Sequence, residues 1–180
     1  MRGEAVTMSR AGDTAIAAEV QPRRRVAVDV ILLLMRNGRI LLRERVNTGY
    51  GDGAYEPPTG QLADQETIVE TAIRVASAEA GTAITAENVS LAHVMHDVSG
   101  GGRIAFFLSV SGWTGRPTSV DVRWFPVGDL PTNMLDRARV ALRNYADGMG
   151  FSTYPAFVPV GISRPEDFHA ISASSGTDGV

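Results

Sequence analysis

The chain has 180 residues, of which 44% are hydrophobic, and this is enough to bury a core in one domain flanked by tails. Its formal net charge of −3 shows no basic excess of the kind that marks nucleic-acid-binding proteins, so we expect no nucleic-acid partner. The sequence contains no cysteine, which excludes disulfides, thiolate metal sites and a cysteine nucleophile.

The two ends of the chain differ from its middle in composition. Residues 1–22 are small, polar and unpatterned, and we expect them to form a flexible arm. We expect the folded domain to span residues 23–158 and a mobile tail to follow at 159–180. The longest apolar run, residues 30–35, is too short to cross a bilayer, and the N-terminus lacks a continuous apolar segment. These features favour a cytoplasmic protein without membrane contact.

The first elements are predicted to be a hairpin and a long loop. Residues 26–35, VAVDVILLLM, are typical of a buried strand, and residues 40–45 of a partner strand. Between them, Asn37-Gly38 predicts a type I′ turn, because these residues accept positive φ angles. The loop at 47–60 contains four glycines and two prolines. Such loops expose backbone and often carry functional sites.

A helix is predicted to follow from Glu66 to Ala80, with Gly81 as its stop. Its apolar residues recur at three- and four-residue steps and are Ile68, Val69, Ala72, Ile73, Ala76 and Ala80. Three strands are predicted at 88–98, 103–113 and 120–127, and a second amphipathic helix at 133–148. This order predicts an α/β fold with a mixed sheet and helices against its faces.

One face of the first helix has the geometry of a metal-binding ridge. Positions 78 and 79 lie about 60° and about 40° from position 75 around a helix of 3.6 residues per turn, so all three share one face. Carboxylates at all three would supply the hard oxygen ligands that Mg²⁺ prefers. Here the three positions hold Val75, Ala78 and Glu79, so a single carboxylate stands on the ridge.

The spacing of five residues around this helix resembles a known motif. Gly60, Glu66, Arg74, Glu79 and Gly81 match the Nudix box, G-x5-E-x7-R-E-U-x-E-E-x-G-U, in which U is aliphatic. The hairpin, the glycine-rich loop and the later segment RWFP also resemble Nudix hydrolases of the nucleotide-cleaning type, over roughly residues 26–145. The resemblance implies the Nudix fold, a mixed β-sheet sandwiched between helices (α/β/α).

The same resemblance implies a reaction. It is the Mg²⁺- or Mn²⁺-dependent hydrolysis of a nucleoside diphosphate linked to another group, in which metals neutralise the diphosphate and activate water. Glu66, Arg74 and Glu79 match catalytic-box residues, with Glu79 as a metal ligand and Arg74 tying down the loop before the helix. The implied partner is a small nucleotide-type molecule, and family members often form homodimers.

The sequence departs from the motif at the places where the chemistry needs charge. Val75 and Ala78 replace two box glutamates. Relatives often carry a further acid before the RWFP-like strand, and only Asp121 is available there. Losing even a supporting group behind a metal ligand typically costs 10–100-fold in affinity or activity.

Three interpretations therefore stay open. The first is a divergent hydrolase, in which the loop acids Asp52, Glu56 or Asp64 assist Glu79. The second is a regulatory or binding module with the Nudix fold, which keeps the cleft for a nucleotide or a protein and hydrolyses little. The third is metal-independent chemistry with a recruited acid or base, for which no clear candidate exists.

Four residues are candidates for contacting the substrate. Arg43 and Arg45 alternate outward on the second hairpin strand and could meet phosphates, with surface charge as the alternative. Tyr50 could stack on a base, although loop packing is nearly as good an explanation. Gly60 belongs to the loop whose backbone is exposed. For Glu66 and Arg74, a structural pair is the alternative to a catalytic one.

Overall fold

A long hairpin opens the described part of the chain. Its strands are β1 (Ala27–Arg36) and β2 (Arg39–Glu44). Asn37 and Gly38 have φ angles of 51° and 69°, as the predicted turn requires. Met35 pairs with Ile40 across the turn. The predicted hairpin is therefore confirmed with its register.

The structure is a computed structural model that describes residues 25–117 and 119–155. The predicted arm at 1–22 and tail at 159–180 lie outside these residues. Within the described ranges, no helix has the length and apolar character needed to span a membrane. The remaining elements are β3 (Tyr55–Glu56), β4 (Thr59–Gln61), α1 (Ile68–Ala80), β5 (Thr82–Ala83), β6 (Val89–Asp97), β7 (Arg103–Val110), β8 (Thr114–Gly115), β9 (Val122–Pro126), α2 (Asp136–Ala146) and β10 (Phe151–Tyr154).

The main sheet is mixed, as the element order predicts. Its strands follow the order β10-β6-β7-β1-β2-β3, while β4 also pairs with β1 and β9 with β2. The β1–β7 and β10–β6 pairs are parallel, and the other pairs in this sheet are antiparallel. Strands β5 and β8 form a separate small pair. The centre of β1 is buried on both faces, which explains its continuous apolar sequence.

Two hydrophobic clusters lie on opposite faces of the sheet. Val30 and Leu32 face α1 and pack with its buried side chains. Ile31 and Leu33 face the other way and join the cluster that contains α2. The side chains of successive β1 residues thus pack into different clusters, as the two-residue period of a strand requires. The predicted α/β/α arrangement is confirmed.

Helix α1 is held at both ends by side chains and backbone that the sequence supplies locally. Thr67 and Glu70 form a capping box at its start, and Gly81 ends it with φ 65°. Its buried residues are Thr71, Ala72, Val75, Ala76 and Ala80. Ile73 belongs to the predicted apolar series of this helix but is 39% exposed. Residues two positions apart on a helix project about 200° from each other, so Ile73 points outward because Val75 is buried.

Several short strands escape sequence analysis. β10 pairs in parallel with the end of β6, although residues beyond 151 read only as a Pro-, Ser- and Gly-rich segment. β4 pairs with β1 through residues that read as loop. Strands of two to four residues show too little alternation to be recognised by periodicity.

Candidate functional site

A pocket of about 930 Å³ opens on the side of the sheet where β1, β2, α1 and α2 contribute polar residues. All four predicted substrate-binding residues, Arg43, Arg45, Tyr50 and Gly60, line it, and so does Glu79. Tyr50 is 72% exposed, and its carbonyl accepts a hydrogen bond from Arg45 Nε at 2.9 Å. The pocket thus collects side chains from distant elements, and their roles toward a ligand stay predictions.

Glu66 and Arg74 bind each other. Arg74 Nε donates to Glu66 Oε1 at 2.8 Å, and Arg74 Nη2 donates to Glu66 Oε2 at 2.7 Å and to the Gln61 carbonyl at 2.8 Å. Thr71 Oγ1 also donates to Glu66. The hydrogen bonds from Arg74, followed by the one from Thr71, lower the pKa of Glu66 to about 2. The pair fastens the loop before α1 to the helix.

Val75 occupies the position of a box glutamate and is 1% exposed. It packs in the apolar cluster between α1 and the sheet. A Cβ built on Gly60 would lie 2.5 Å from Val75 Cγ2, which is far inside van der Waals contact. The valine therefore fills the space that a side chain at position 60 would need. Because Val75 is apolar and buried, this position offers no charge to the pocket.

Glu79 is bound by an arginine. Arg43 Nη1 forms an ion pair with Glu79 Oε2, and Arg43 Nε donates to Asp121 Oδ2 at 2.6 Å. Hydrogen bonds from Ser119 and from Arg43 lower the pKa of Asp121. One guanidinium therefore bridges the last carboxylate of the helix ridge and the acid that precedes β9. We call this set of three residues, Arg43, Glu79 and Asp121, the arginine bridge.

The loop acids do not complete a metal site around Glu79. Asp52 accepts hydrogen bonds from Thr48 N and Oγ1, at 2.9 and 2.6 Å, and so closes its own loop. Glu56 pairs with Arg45, and Asp64 is exposed. These acids are the replacement ligands that the sequence suggests, and none of them contacts Glu79 among the described residues.

The described residues do not fit the divalent metal that the resemblance implies. Among residues 25–117 and 119–155, no group of three or more His, Asp or Glu side chains is arranged to hold a metal ion. Val75 is buried, Ala78 carries no ligand atom, and a cation already contacts Glu79. Mg²⁺ binds through carboxylates in an octahedral shell, so a guanidinium in contact with the carboxylate competes with it directly.

A second polar group lies deeper in the pocket. Asp29, Glu56 and Asp97 are only 2%, 7% and 3% exposed, and three arginines accompany them. We call the six residues the buried charge cluster; they are Asp29, Glu56, Asp97, Arg45, Arg103 and Arg137. They come from β1, β3, the end of β6, the segment after β2, β7 and α2. All six line the pocket.

Most acceptors in the buried charge cluster are already used. Arg103 donates to both oxygens of Asp29 at 2.7 Å, and Arg45 pairs with Glu56 Oε1. The Ser99 backbone N–H and hydroxyl donate to Asp97 Oδ1 at 2.9 and 2.5 Å. Two carboxylate oxygens remain without a hydrogen bond from the described residues, Glu56 Oε2 and Asp97 Oδ2.

Arg137 lies between these two oxygens but is too far away to bond them. Its guanidinium nitrogens are 3.7 Å from Glu56 Oε2, 3.9 Å from Asp97 Oδ2 and 3.5 Å from Asp29 Oδ2. Within the described ranges, Arg137 makes no side-chain hydrogen bond, and no fully buried side-chain N or O atom lacks a partner. Glu56 Oε2 and Asp97 Oδ2, which have no hydrogen bond from the described residues, are therefore not fully buried, and both residues line the pocket.

The whole lining is formally negative. It contains six carboxylates and four guanidinium groups, a formal charge of −2. The carboxylates are Asp29, Glu44, Glu56, Glu79, Asp97 and Asp136, and the arginines are Arg43, Arg45, Arg103 and Arg137.

Most of the buried charge cluster is not predicted from the sequence. Arg45 and Glu56 are predicted in other roles, and no site role is predicted for Asp29, Asp97, Arg103 or Arg137. One signal was present, because Asp29 interrupts an apolar strand, VAVDVILLLM, and a buried carboxylate needs a partner. The identity of that partner depends on strand pairing, which local sequence does not reveal.

Comparison with known protein families identifies the family of this chain. The profile of the NUDIX domain matches residues 23–145. The chain belongs to the NUDIX domain family. NUDIX members generally hydrolyse pyrophosphate bonds with divalent metals, and the chain keeps the glycine, glutamate and arginine framework of the box while two of its acids are replaced. Comparison with curated protein sequences finds no match.

Solved structures share the NUDIX fold. A MutT NUDIX hydrolase from Burkholderia pseudomallei is 26% identical, with a TM-score of 0.58 over 67% of this chain and 98% of that one. A MutT structure from a study of Aliivibrio salmonicida and Vibrio cholerae is 16% identical, with a TM-score of 0.55 over 68% and 99%. A hydrolase of ADP compounds is 14% identical, with a TM-score of 0.56 over 71% and 77%. Identities this low indicate a shared fold and leave substrate and activity open.

Proposed function

We propose that this NUDIX chain is a binding module that takes a small nucleotide-type molecule into its pocket and hydrolyses phosphoric anhydride bonds little or not at all. The family and its solved relatives favour a nucleotide-type ligand, since one of them is a hydrolase of ADP compounds. The pocket volume of about 930 Å³ is within the range of small-molecule sites.

The arginine bridge is the observation that carries this proposal. Glu79 is the one carboxylate left on the helix ridge, and it is ion-paired to Arg43. The guanidinium supplies the positive charge locally, without a metal. Unlike a metal ion, it has no open coordination position at which to lower the pKa of a water. The bridge therefore supports binding more strongly than it supports hydrolysis.

Metal-dependent hydrolysis of a nucleoside diphosphate linked to another group is the second candidate. Glu79 and Asp121 contact the same guanidinium, so they lie on two sides of one small volume. Glu66, Arg74 and Gly60 keep the loop in place beside it. Mg²⁺ or Mn²⁺ would have to displace Arg43 before these two acids could act as ligands.

Product release and ligand binding, measured together, test the proposal. We would assay phosphate and pyrophosphate release from nucleoside triphosphates, nucleotide sugars and dinucleoside polyphosphates, with Mg²⁺ and with Mn²⁺, beside Glu79→Gln. We would measure binding of the same panel by calorimetry. Binding with product release at the background rate supports the module. Metal-dependent turnover that Glu79→Gln abolishes would overturn it in favour of hydrolysis.

Two further expectations remain predictions with simple tests. A homodimer, which the family resemblance suggests, would give twice the monomer mass of 19.2 kDa in light scattering. A cytoplasmic location would place the tagged full chain in the soluble fraction of cells after separation from membranes.

A further inference from the structure

We infer that the buried charge cluster recognises an uncharged nucleoside through the N–H groups of its base. This inference rests on the proposed binding function and names the ligand within the nucleotide-type class. It assigns the recognition of the ligand to the buried charge cluster, which lines the pocket.

The cluster presents acceptors and donors side by side. Glu56 Oε2 and Asp97 Oδ2 are acceptor oxygens of residues 7% and 3% exposed, and both lack a hydrogen bond from the described residues. The Arg137 guanidinium between them, at 3.7 and 3.9 Å, supplies donors. A base edge that carries an amino group beside a carbonyl or ring nitrogen has the matching donors and acceptor. Hydrogen bonds to charged groups are roughly twice as strong as neutral ones.

The positions of the two carboxylates are fixed by hydrogen bonds to their other oxygens. Arg45 holds the first oxygen of Glu56, and Ser99 holds the first oxygen of Asp97. Glu56 and Asp97 therefore present their remaining oxygens with little loss of side-chain freedom on binding. Such preorganisation lowers the entropic cost of association.

The formal charge of the lining disfavours the polyphosphate part of a nucleotide-type ligand. The lining has a formal charge of −2, and the described residues do not fit the metal that would offset a diphosphate. A new negative charge at about 8 Å from two net charges in water loses about fivefold in affinity by Coulomb's law. Each added phosphate should therefore weaken binding, and the bare nucleoside should bind best.

Calorimetry in metal-free buffer with EDTA tests the inference on the full chain. The probes are cytidine and uridine, guanosine and inosine, and the series cytidine, CMP, CDP and CTP. We expect the amino-bearing base to bind at least tenfold more tightly than its partner in at least one of the two pairs. We also expect affinity to fall at every step from cytidine to CTP.

Variants connect this selectivity to the cluster. Asp97→Asn and Glu56→Gln keep the shape of the side chains but each removes a charged acceptor, and they should reduce binding of the preferred nucleoside at least tenfold. Asp129→Asn, an exposed acid outside the pocket, is the matched control and should bind as the wild type does. Thermal melting of each variant checks that it folds.

The outcomes separate this inference from the proposed function. An affinity that rises from cytidine to CTP would overturn the inference and leave the nucleotide-binding module standing. Equal affinity for cytidine and uridine, together with equal affinity for guanosine and inosine, would also overturn it. The acceptor oxygens would then not be binding the amino group of the base. If no nucleoside or nucleotide binds, both proposals fail. The wild-type comparisons decide these outcomes even where a variant does not fold.

Discussion

Replacing Arg43 by glutamine should create a divalent-cation site where the wild type has none. Arg43 contacts both Glu79 and Asp121, and its removal leaves two carboxylates facing one small volume. Mg²⁺ and Mn²⁺ are commonly held by one or two carboxylates together with waters. In the wild type, the guanidinium fills that volume and repels any incoming cation.

Coulomb's law bounds the size of this effect. A divalent ion about 4 Å from the guanidinium is repelled by about 2 kcal/mol in water and by about 8 kcal/mol at an effective dielectric constant of about 20. The smaller value alone corresponds to about thirtyfold in affinity. The variant should still fold, because partly exposed ion pairs contribute only about 0.2–1 kcal/mol each.

Electron paramagnetic resonance of free Mn²⁺ measures the result directly. Arg43→Gln should bind Mn²⁺ with a Kd on the order of 1 mM, and the wild type at least thirtyfold more weakly. Arg43→Gln combined with Glu79→Gln should lose the site again. Arg39→Gln is the control, because this exposed arginine on the same strand donates only to the Trp124 carbonyl among the described residues. Equal Mn²⁺ affinity in the wild type and in Arg43→Gln would refute the reasoning.

Three other predictions concern stability. Gly60→Ala should lower the free energy of unfolding in urea by about 1–3 kcal/mol, because its Cβ meets Val75 Cγ2. The double variant Gly60→Ala, Val75→Ala should lose less stability than the two single variants added together. Strict additivity would contradict the contact. Burial lowers the pKa of His93, so unfolding free energy should fall below about pH 6.5 by up to about 1.4 kcal/mol per pH unit. His93→Gln should remove that slope, and an unchanged slope would assign it elsewhere. The pKa of Glu66, lowered from 4.5 to about 2, contributes stability that is complete above pH 4.5 and lost as the pH falls toward 2; Glu66→Gln should not show this loss.

The local parts of the fold could be read from the sequence because their causes are local. The Asn37–Gly38 turn depends on two residues that accept positive φ, and α1 on its capping box and Gly81. Glu70, which completes this capping box, is exposed. Each feature involves residues within one or two turns of chain.

The site was only partly predictable because its contacts join distant segments. The sequence marked Asp121 as the acid before the RWFP strand, but its bond to Arg43 arises from the pairing of β2 with β9. Val75 looked like a missing ligand, and its burial against Gly60 follows from how α1 rests on the sheet. The Arg137 contacts require α2 to dock, which no local pattern encodes.

The buried charge cluster also bears on how the chain folds as it leaves the ribosome. Asp29 emerges with β1, whereas Arg137 emerges with α2. Until that helix is made, the three buried carboxylates have only two guanidinium partners in the cluster. Burying the third carboxylate without a partner costs desolvation free energy, which opposes folding of the strands. A nascent chain halted before residue 136 should therefore stay sensitive to protease. Helix α2 supplies the third guanidinium, so folding should not finish before this helix has been made.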